Sequence, residues 1–191
     1  MNKNKKVLSI VLVGLMTAVM CVISPISVPI GTVPISFQIL ALYLVLYVLD
    51  WKRSTIAVLL YLILGAVGLP VFAGYVGGIA KLTGPTGGYL VSYIPFAIIC
   101  GIVFDRFPIE EAETAKDKAV RCVIHFAAML VGTAVCYTLG TAWFCIQASY
   151  SVGAALAICV IPFIPFDIAK GIVAMIVGPQ IRKALKKANL R

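Results

Sequence analysis

Six long apolar runs, each nearly free of charge, constrain this chain more than any other feature. They cover roughly 7–23, 35–49, 55–69, 89–104, 122–144 and 152–177. A helix needs about 20 apolar residues, with a range of about 17 to 25, to cross the ~30 Å hydrocarbon core of a bilayer. The second and third runs are short, and the charged turn Asp50-Trp51-Lys52-Arg53 separates them into a hairpin. A single helix from 35 to 69 would bury that turn at a cost of several kcal/mol. The expected fold is therefore an all-α integral membrane protein, one domain of six transmembrane helices. The composition agrees: 62% of the residues are hydrophobic and 12% are charged, whereas a soluble domain carries about a quarter charged residues. No short charged-then-apolar leader with a small-residue cleavage site is evident, so the first run reads as a retained span.

The charges set an orientation. Every lysine and arginine except Lys81 and Lys170 falls in one of four segments: the N-terminus, the 50–53 turn, the 105–121 loop and the C-terminus. With six spans these four segments share one side, and the positive-inside rule makes that side the cytoplasm, with both termini on it. The net charge of +9 thus records the topology of a multi-pass protein of the cell membrane. It also suits contact with anionic lipid headgroups, and nothing in it requires nucleic acid. The six cysteines stand singly in or beside apolar runs without a CxxC pair, as buried free thiols do.

The stretch GPTGGYL, residues 84–90, has the glycine content of a phosphate cradle. It lacks the lysine and serine or threonine that end a P-loop, and the topology places it outside, away from cytoplasmic ATP. No ATPase motif occurs elsewhere in the chain. Two readings of the stretch remain: a tight turn into the fourth span, or part of an outward-facing site. The loop 70–88 that contains it is long, rich in glycine and nearly uncharged, yet carries Val71, Phe72, Tyr75, Val76, Ile79 and Leu82. Loops of that length are functional or disordered, and a disordered one would be more charged and less apolar. The expectation is a packed lid on the outer face of the membrane.

Ionisable residues inside a membrane are costly and mark function by default. Asp167 and Lys170, in IPFIPFDIAKGIVA, are such a pair, and their spacing puts them on one face of a helix. With Arg182 marking the inner edge, a rise of ~1.5 Å per residue places Lys170 about 18 Å and Asp167 about 22 Å away, in the outer half of the bilayer. Pro162 and Pro165 just before them bend or unwind the helix, which is tolerated where backbone lines a cavity. The pair either locks helix packing or receives a ligand. As a receiver, the carboxylate accepts N–H groups and the ammonium donates to a carbonyl, the complement of a cyclic urea. Its formal neutrality lowers the cost of burial. Gln38, near the outer end of the second span, is either a helix–helix hydrogen bond or a ligand contact. Lys81 and Thr86 either meet an anionic ligand tail or are ordinary loop residues. Tyr89, Tyr93 and Trp143 fit an aromatic belt as well as a ligand site. His125 has no metal set around it and reads as a packed histidine. Gly14 and Ala18, a small-xxx-small pair in the first span, allow close approach of a second helix.

Four stretches carry a resemblance: VPISFQILA (33–41), LLYLILGAVGLPVFAGYVGG (59–78), LTGPTGGYLVSY (82–93) and IPFIPFDIAKG (161–171). In this order, across nearly the whole chain, they resemble the biotin transporter BioY family, the substrate-binding S components of energy-coupling factor (ECF) transporters. The resemblance implies a six-helix protein that captures biotin from outside. It implies uptake with a transmembrane coupling subunit and two cytoplasmic ATPases, and no cofactor, metal or catalytic residue in this chain. It assigns ligand binding to Asp167 and Lys170 and to the loop residues Gly84, Pro85, Thr86, Gly87 and Gly88. The candidates Gln38, Lys81, Tyr89 and Tyr93 complete the expected biotin site. The coupling-subunit interface falls on Gly14 and Ala18, with Gly14 where the family usually has alanine.

The burial of a urea ring against an ion pair, with an apolar pocket for a thiophane and valeryl chain, is where the resemblance and the residues meet. A stand-alone secondary transporter would show more polar relay groups and often inverted repeats, and no convincing repeat is present. An intramembrane enzyme would need a nucleophile or metal cluster near the pair. An S component for another vitamin is the nearest competitor, and the combination of GPTGGYL with PFDIAK argues against it.

Overall fold

The computed structural model describes residues 3–29 and 34–188. Val33 of the first motif and Arg191 lie outside the described residues, as do the side chains of Lys3 and Lys5. The helices are α1 (Lys3–Ile23), α2 (Gln38–Val48), α3 (Trp51–Val67), α4 (Ile79–Thr83), α5 (Gly87–Val91), α6 (Tyr93–Arg106), α7 (Ala115–Ala148), α8 (Val152–Cys159) and α9 (Ile164–Lys187). A 3₁₀ turn covers Ile109–Glu111, and two short strands, β1 (Ser27–Val28) and β2 (Ile35–Ser36), form an antiparallel ribbon. Four helical segments are long and apolar enough to cross a membrane: Lys6–Ile23, Gly87–Glu111, Ala115–Ala148 and Ile164–Lys187. Gln38–Val48 is a shorter apolar helix.

The surface is that of a membrane protein. Val67, Ile146 and Ile10 are 81%, 79% and 72% exposed, and such side chains ring the bundle on α1, α3, α7 and α9. Water would penalise a contiguous apolar surface of this kind, whereas lipid does not. Inside, α2 is the packed centre. Ala41, Leu42, Val45, Leu46 and Tyr47 have no exposed surface, and the helix lies against α9, α1 and α6.

Local chemistry sets the ends. Helix α3 starts at the 50–53 turn because Asp50 caps it, its carboxylate accepting from Arg53 N at 3.0 Å. It stops at Gly68, whose φ of 116° is cheap only for glycine. Helix α2 begins at Gln38, three residues into the second apolar run, because Ile35 and Ser36 are pairing with β1. Helix α7 takes in the whole fifth run and starts earlier, at Ala115, where Thr114 Oγ1 caps Asp117 N at 3.1 Å. The sixth run is two helices. Residues 160–163 form a turn, and α9 restarts with Pro165 in its first turn, where its missing N–H costs nothing.

The bundle has two unlike ends. At one, the 50–53 turn, the 105–111 segment, the start of α7 and the end of α9 meet. Arg182, 2% exposed, donates to Phe104 O at 2.7 Å and pairs with Asp105. Asp105 also accepts from Trp51 N at 2.7 Å. Glu110 is buried, 3.4 Å from Arg182 Nε and 2.9 Å from Lys186 Nζ, in both cases as an ion pair without hydrogen-bond geometry. His125 is packed here, Nδ1 3.0 Å from Tyr47 Oη and Nε2 2.8 Å from Phe107 O, with its ring stacked on Phe104. The other end carries the ribbon, the 70–88 segment and a cavity.

Candidate ligand-binding site

The 70–88 segment packs on the bundle as the apolar residues in it require. Val71 and Phe72 are buried. Phe72 meets Tyr61 edge-on and sits where a side chain on Gly65 would be, since a Cβ there would fall 2.0 Å from its ring. Tyr61 Oη donates to Val71 O at 3.1 Å, and Gly74 N donates to Pro25 O at 3.0 Å. Tyr75, Val76 and Ile79 face outward.

Beneath this segment lies a cavity of about 850 Å³ of atom-free space, its open mouth included, within the range of about 300 to 1,000 Å³ usual for small-molecule sites. Seven of the residues singled out from the sequence line it: Gln38, Lys81, Thr86, Tyr89, Tyr93, Asp167 and Lys170. They come from α2, α4, the 84–88 turn, α5, α6 and α9, so the fold brings together positions more than a hundred residues apart.

The ion pair forms one pole. Lys170 Nζ donates to Asp167 Oδ1 at 2.8 Å, and the two side chains are 11% and 5% exposed. Asp167 Oδ2 accepts from Tyr137 Oη at 2.7 Å. Each carboxylate oxygen has a second lone pair, and the ammonium has two further N–H groups, so the pair can still accept from a ligand and donate to it. The helix break matters here. Because α9 restarts at Ile164, Asp167 lies in its first turn, where the helix dipole favours negative charge.

Gln38 anchors another part of the wall. Its Oε1 accepts from Ser36 Oγ at 3.0 Å and Tyr93 Oη at 3.3 Å, and its Nε2 donates to Tyr61 Oη at 2.9 Å. One amide N–H remains for a ligand. Gln38 therefore makes the helix–helix bond and also faces the cavity. Tyr89 Oη is 2.8 Å from Thr141 Oγ1, which fixes its ring at the cavity edge.

Gly84, Pro85, Gly87 and Gly88 are not among the lining residues. They shape the turn behind it. A Cβ on Gly87 would fall 1.6 Å from Leu82 O, and one on Gly88 would fall 2.3 Å from Trp143 Cβ. Trp143 Nε1 donates to Gly84 O at 3.0 Å, so the turn is held against α7. Gly14 and Ala18 are exposed on α1, away from the cavity, on the face that also shows Val11, Leu15 and Val22.

Tyr137 was not apparent from the sequence. A tyrosine in a long apolar helix carries no signal of its own, and its partner Asp167 is 30 residues away. Cys136, Cys159 and Phe163 also line the cavity and read from sequence only as apolar filling.

A cavity at the least charged end of a bundle of membrane-length apolar helices, with one buried ion pair in its lining, has the features of a small-molecule site. The comparisons with known proteins narrow this. The sequence model of the BioY family matches residues 1–187, and the chain belongs to that family. Among its relatives, "Biotin transporter BioY2" of Lactococcus lactis subsp. cremoris is 35% identical over 98% of this chain and 97% of its own length. "Biotin transporter BioY" of Thermotoga maritima is 34% identical over 89% of this chain and 93% of its own. The crystal structure of the S-component for biotin from an ECF-type ABC transporter superposes with a TM-score of 0.82. It has 28% identity and covers 96% of this chain and 95% of that one.

Proposed function

We propose that this protein captures biotin from outside the cell and serves as the S component of an ECF-type transporter. The observation that carries the reading is the Asp167–Lys170 pair on the cavity wall. Biotin's ureido ring presents two N–H groups and one C=O, which match a carboxylate and an ammonium side by side. Its thiophane and valeryl chain fit the apolar remainder of the lining, from Ile39, Phe72, Leu90 and Phe163. Analogues without the urea leave the open lone pairs and N–H groups of this pair unsatisfied, which is a strong basis for discrimination. The names of the relatives and the solved S-component support the same ligand.

In this reading the chain spans the membrane six times, with α1, α2, α3, the α5–α6 segment, α7 and the α8–α9 segment as the spans. The basic end lies in the cytoplasm, so the cavity faces outward under the 70–88 lid in the cell membrane. The turn 84–88 shapes the site from behind. Biotin is the cargo, and no cofactor takes part. ATP hydrolysis belongs to two partner ATPases, reached through a transmembrane coupling subunit that docks on α1 at Gly14 and Ala18. The exposure of both small residues supports that face as the interface.

The test is calorimetric titration of the purified protein with biotin, using thiamine and riboflavin as controls. Selective biotin binding is expected, and Asp167→Asn should weaken it at least tenfold, about 1.4 kcal/mol, in protein that still folds. Unchanged affinity in that variant would remove the pair from the site. Bulky substitution at Gly14 should abolish co-purification with the coupling subunit and spare biotin binding; intact assembly would move the interface elsewhere.

A further inference from the structure

The lining of the cavity holds three charged side chains, Asp167, Lys170 and Lys81. The first two neutralise each other. Lys81, on α4, is partly buried, and burial pulls its ammonium below the ordinary lysine range. Among the described residues no carboxylate lies within ion-pair distance of it. The rest of the chain offers none either. The other acidic residues are Asp50, Asp105, Glu110, Glu111, Glu113 and Asp117. All of these belong to the opposite end of the bundle, with the 50–53 turn and the segment from α6 to the start of α7. The cavity lining therefore carries one formal positive charge with no acid beside it among the described residues.

We infer that Lys81 is a specificity-determining residue that makes the site select the free-acid form of its ligand over neutral or amide-linked forms. This rests on the biotin reading above. The neutral pair takes the neutral ureido head, and the unpaired cation takes a tail carboxylate. A charge-assisted hydrogen bond of this kind is stronger than a neutral one. A tail ending in an amide leaves the partly desolvated ammonium without a counter-charge, so it loses affinity even where it fits. Biotin joined through its carboxyl group to lysine or a peptide, the form released by breakdown of biotinylated proteins, is then discriminated against at this step. Hydrolysis of that amide restores the tail carboxylate that Lys81 pairs with.

The test compares biotin with biotinamide, which is neutral and nearly the same shape, by calorimetry on the purified full chain and on Lys81→Met and Lys81→Arg. The wild type should bind biotin at least tenfold more tightly than biotinamide. Lys81→Met should lose that preference by weakening biotin and leaving biotinamide unchanged, and Lys81→Arg should keep it. Equal affinity of the wild type for the two compounds overturns the inference, as does a preference that survives Lys81→Met. In both cases the biotin reading stands. A folded wild type that binds neither compound overturns the biotin reading itself, and this inference falls with it.

Discussion

Both ends of the bundle bury charge, and they satisfy it differently. At the basic end Arg182 is surrounded by acceptors and acids from distant segments: Phe104 O, Asp105 and Glu110. Lys186 adds to Glu110 and Glu111, and Arg121 pairs with Asp117 while donating to Pro108 O at 2.7 Å. Each of these three cations has an acid beside it. At the cavity end Lys170 has Asp167, Asp167 has Tyr137, and Lys81 has no acid within ion-pair distance among the described residues. The first arrangement ties α3, α6 and α9 together across the sequence. The second leaves valences open toward a space. A buried charge that is fully matched is structural, and one that is left half matched defines what the space must hold.

Three substitutions sharpen or break that contrast. The largest effect is expected for Arg182→Met. It leaves the buried Glu110 carboxylate with Lys186 alone and takes one partner from Asp105, and removing one member of a buried pair costs about 3 to 5 kcal/mol. Thermal unfolding in detergent should show a large loss, while the affinity of the remaining folded molecules for biotin stays unchanged. A parallel loss of affinity would mean that the two ends are coupled. Tyr61→Phe comes next. It removes the donor to Val71 O and the acceptor for Gln38 Nε2, and a buried polar group left unpaired costs about 1 to 3 kcal/mol. The effect should appear as faster biotin release, since the hydroxyl joins the lid to the cavity wall. An unchanged release rate would show that the other contacts, the Phe72 packing, Gly74 N to Pro25 O and Trp143 to Gly84 O, hold the lid without it. Asp117→Asn is the smallest. Its pair with Arg121 is one helical turn apart and partly solvated, and such pairs contribute about 0.3 to 0.5 kcal/mol. A loss above about 1 kcal/mol would place Asp117 within the matched network.

The sequence disclosed much of this because lipid makes its demands in composition. Charges are so costly there that Asp167 and Lys170 stand out in an apolar run without any structural help. Three of the basic segments, the 50–53 turn, the 105–121 loop and the end of the last run, likewise marked one end of the molecule before its helices were placed. What the sequence withheld depends on pairing between distant residues. Ile35 and Ser36 read as the start of a helix, and only their register with Val28 and Ser27 turns them into a ribbon. Tyr137 reads as one aromatic among several until α7 and α9 are laid side by side. GPTGGYL suggested a ligand loop, and its glycines are needed for a closer reason: Leu82 O and Trp143 leave no room for a side chain. The break in the last run was visible in Pro162 and Pro165. Its consequence, a carboxylate in the first turn of a new helix, required the restart at Ile164 to be located.

The two tryptophans of the chain divide between these ends. Trp51 offers its backbone N–H to Asp105 and packs its Cβ against Gly101, whereas the Trp143 indole spans from α7 to the carbonyl of Gly84. The molecule thus carries a separate intrinsic fluorophore for each end. With Trp51 changed to phenylalanine, tryptophan emission comes from the Gly84 turn alone, and a change in its surroundings when ligand is added can be read without an attached dye.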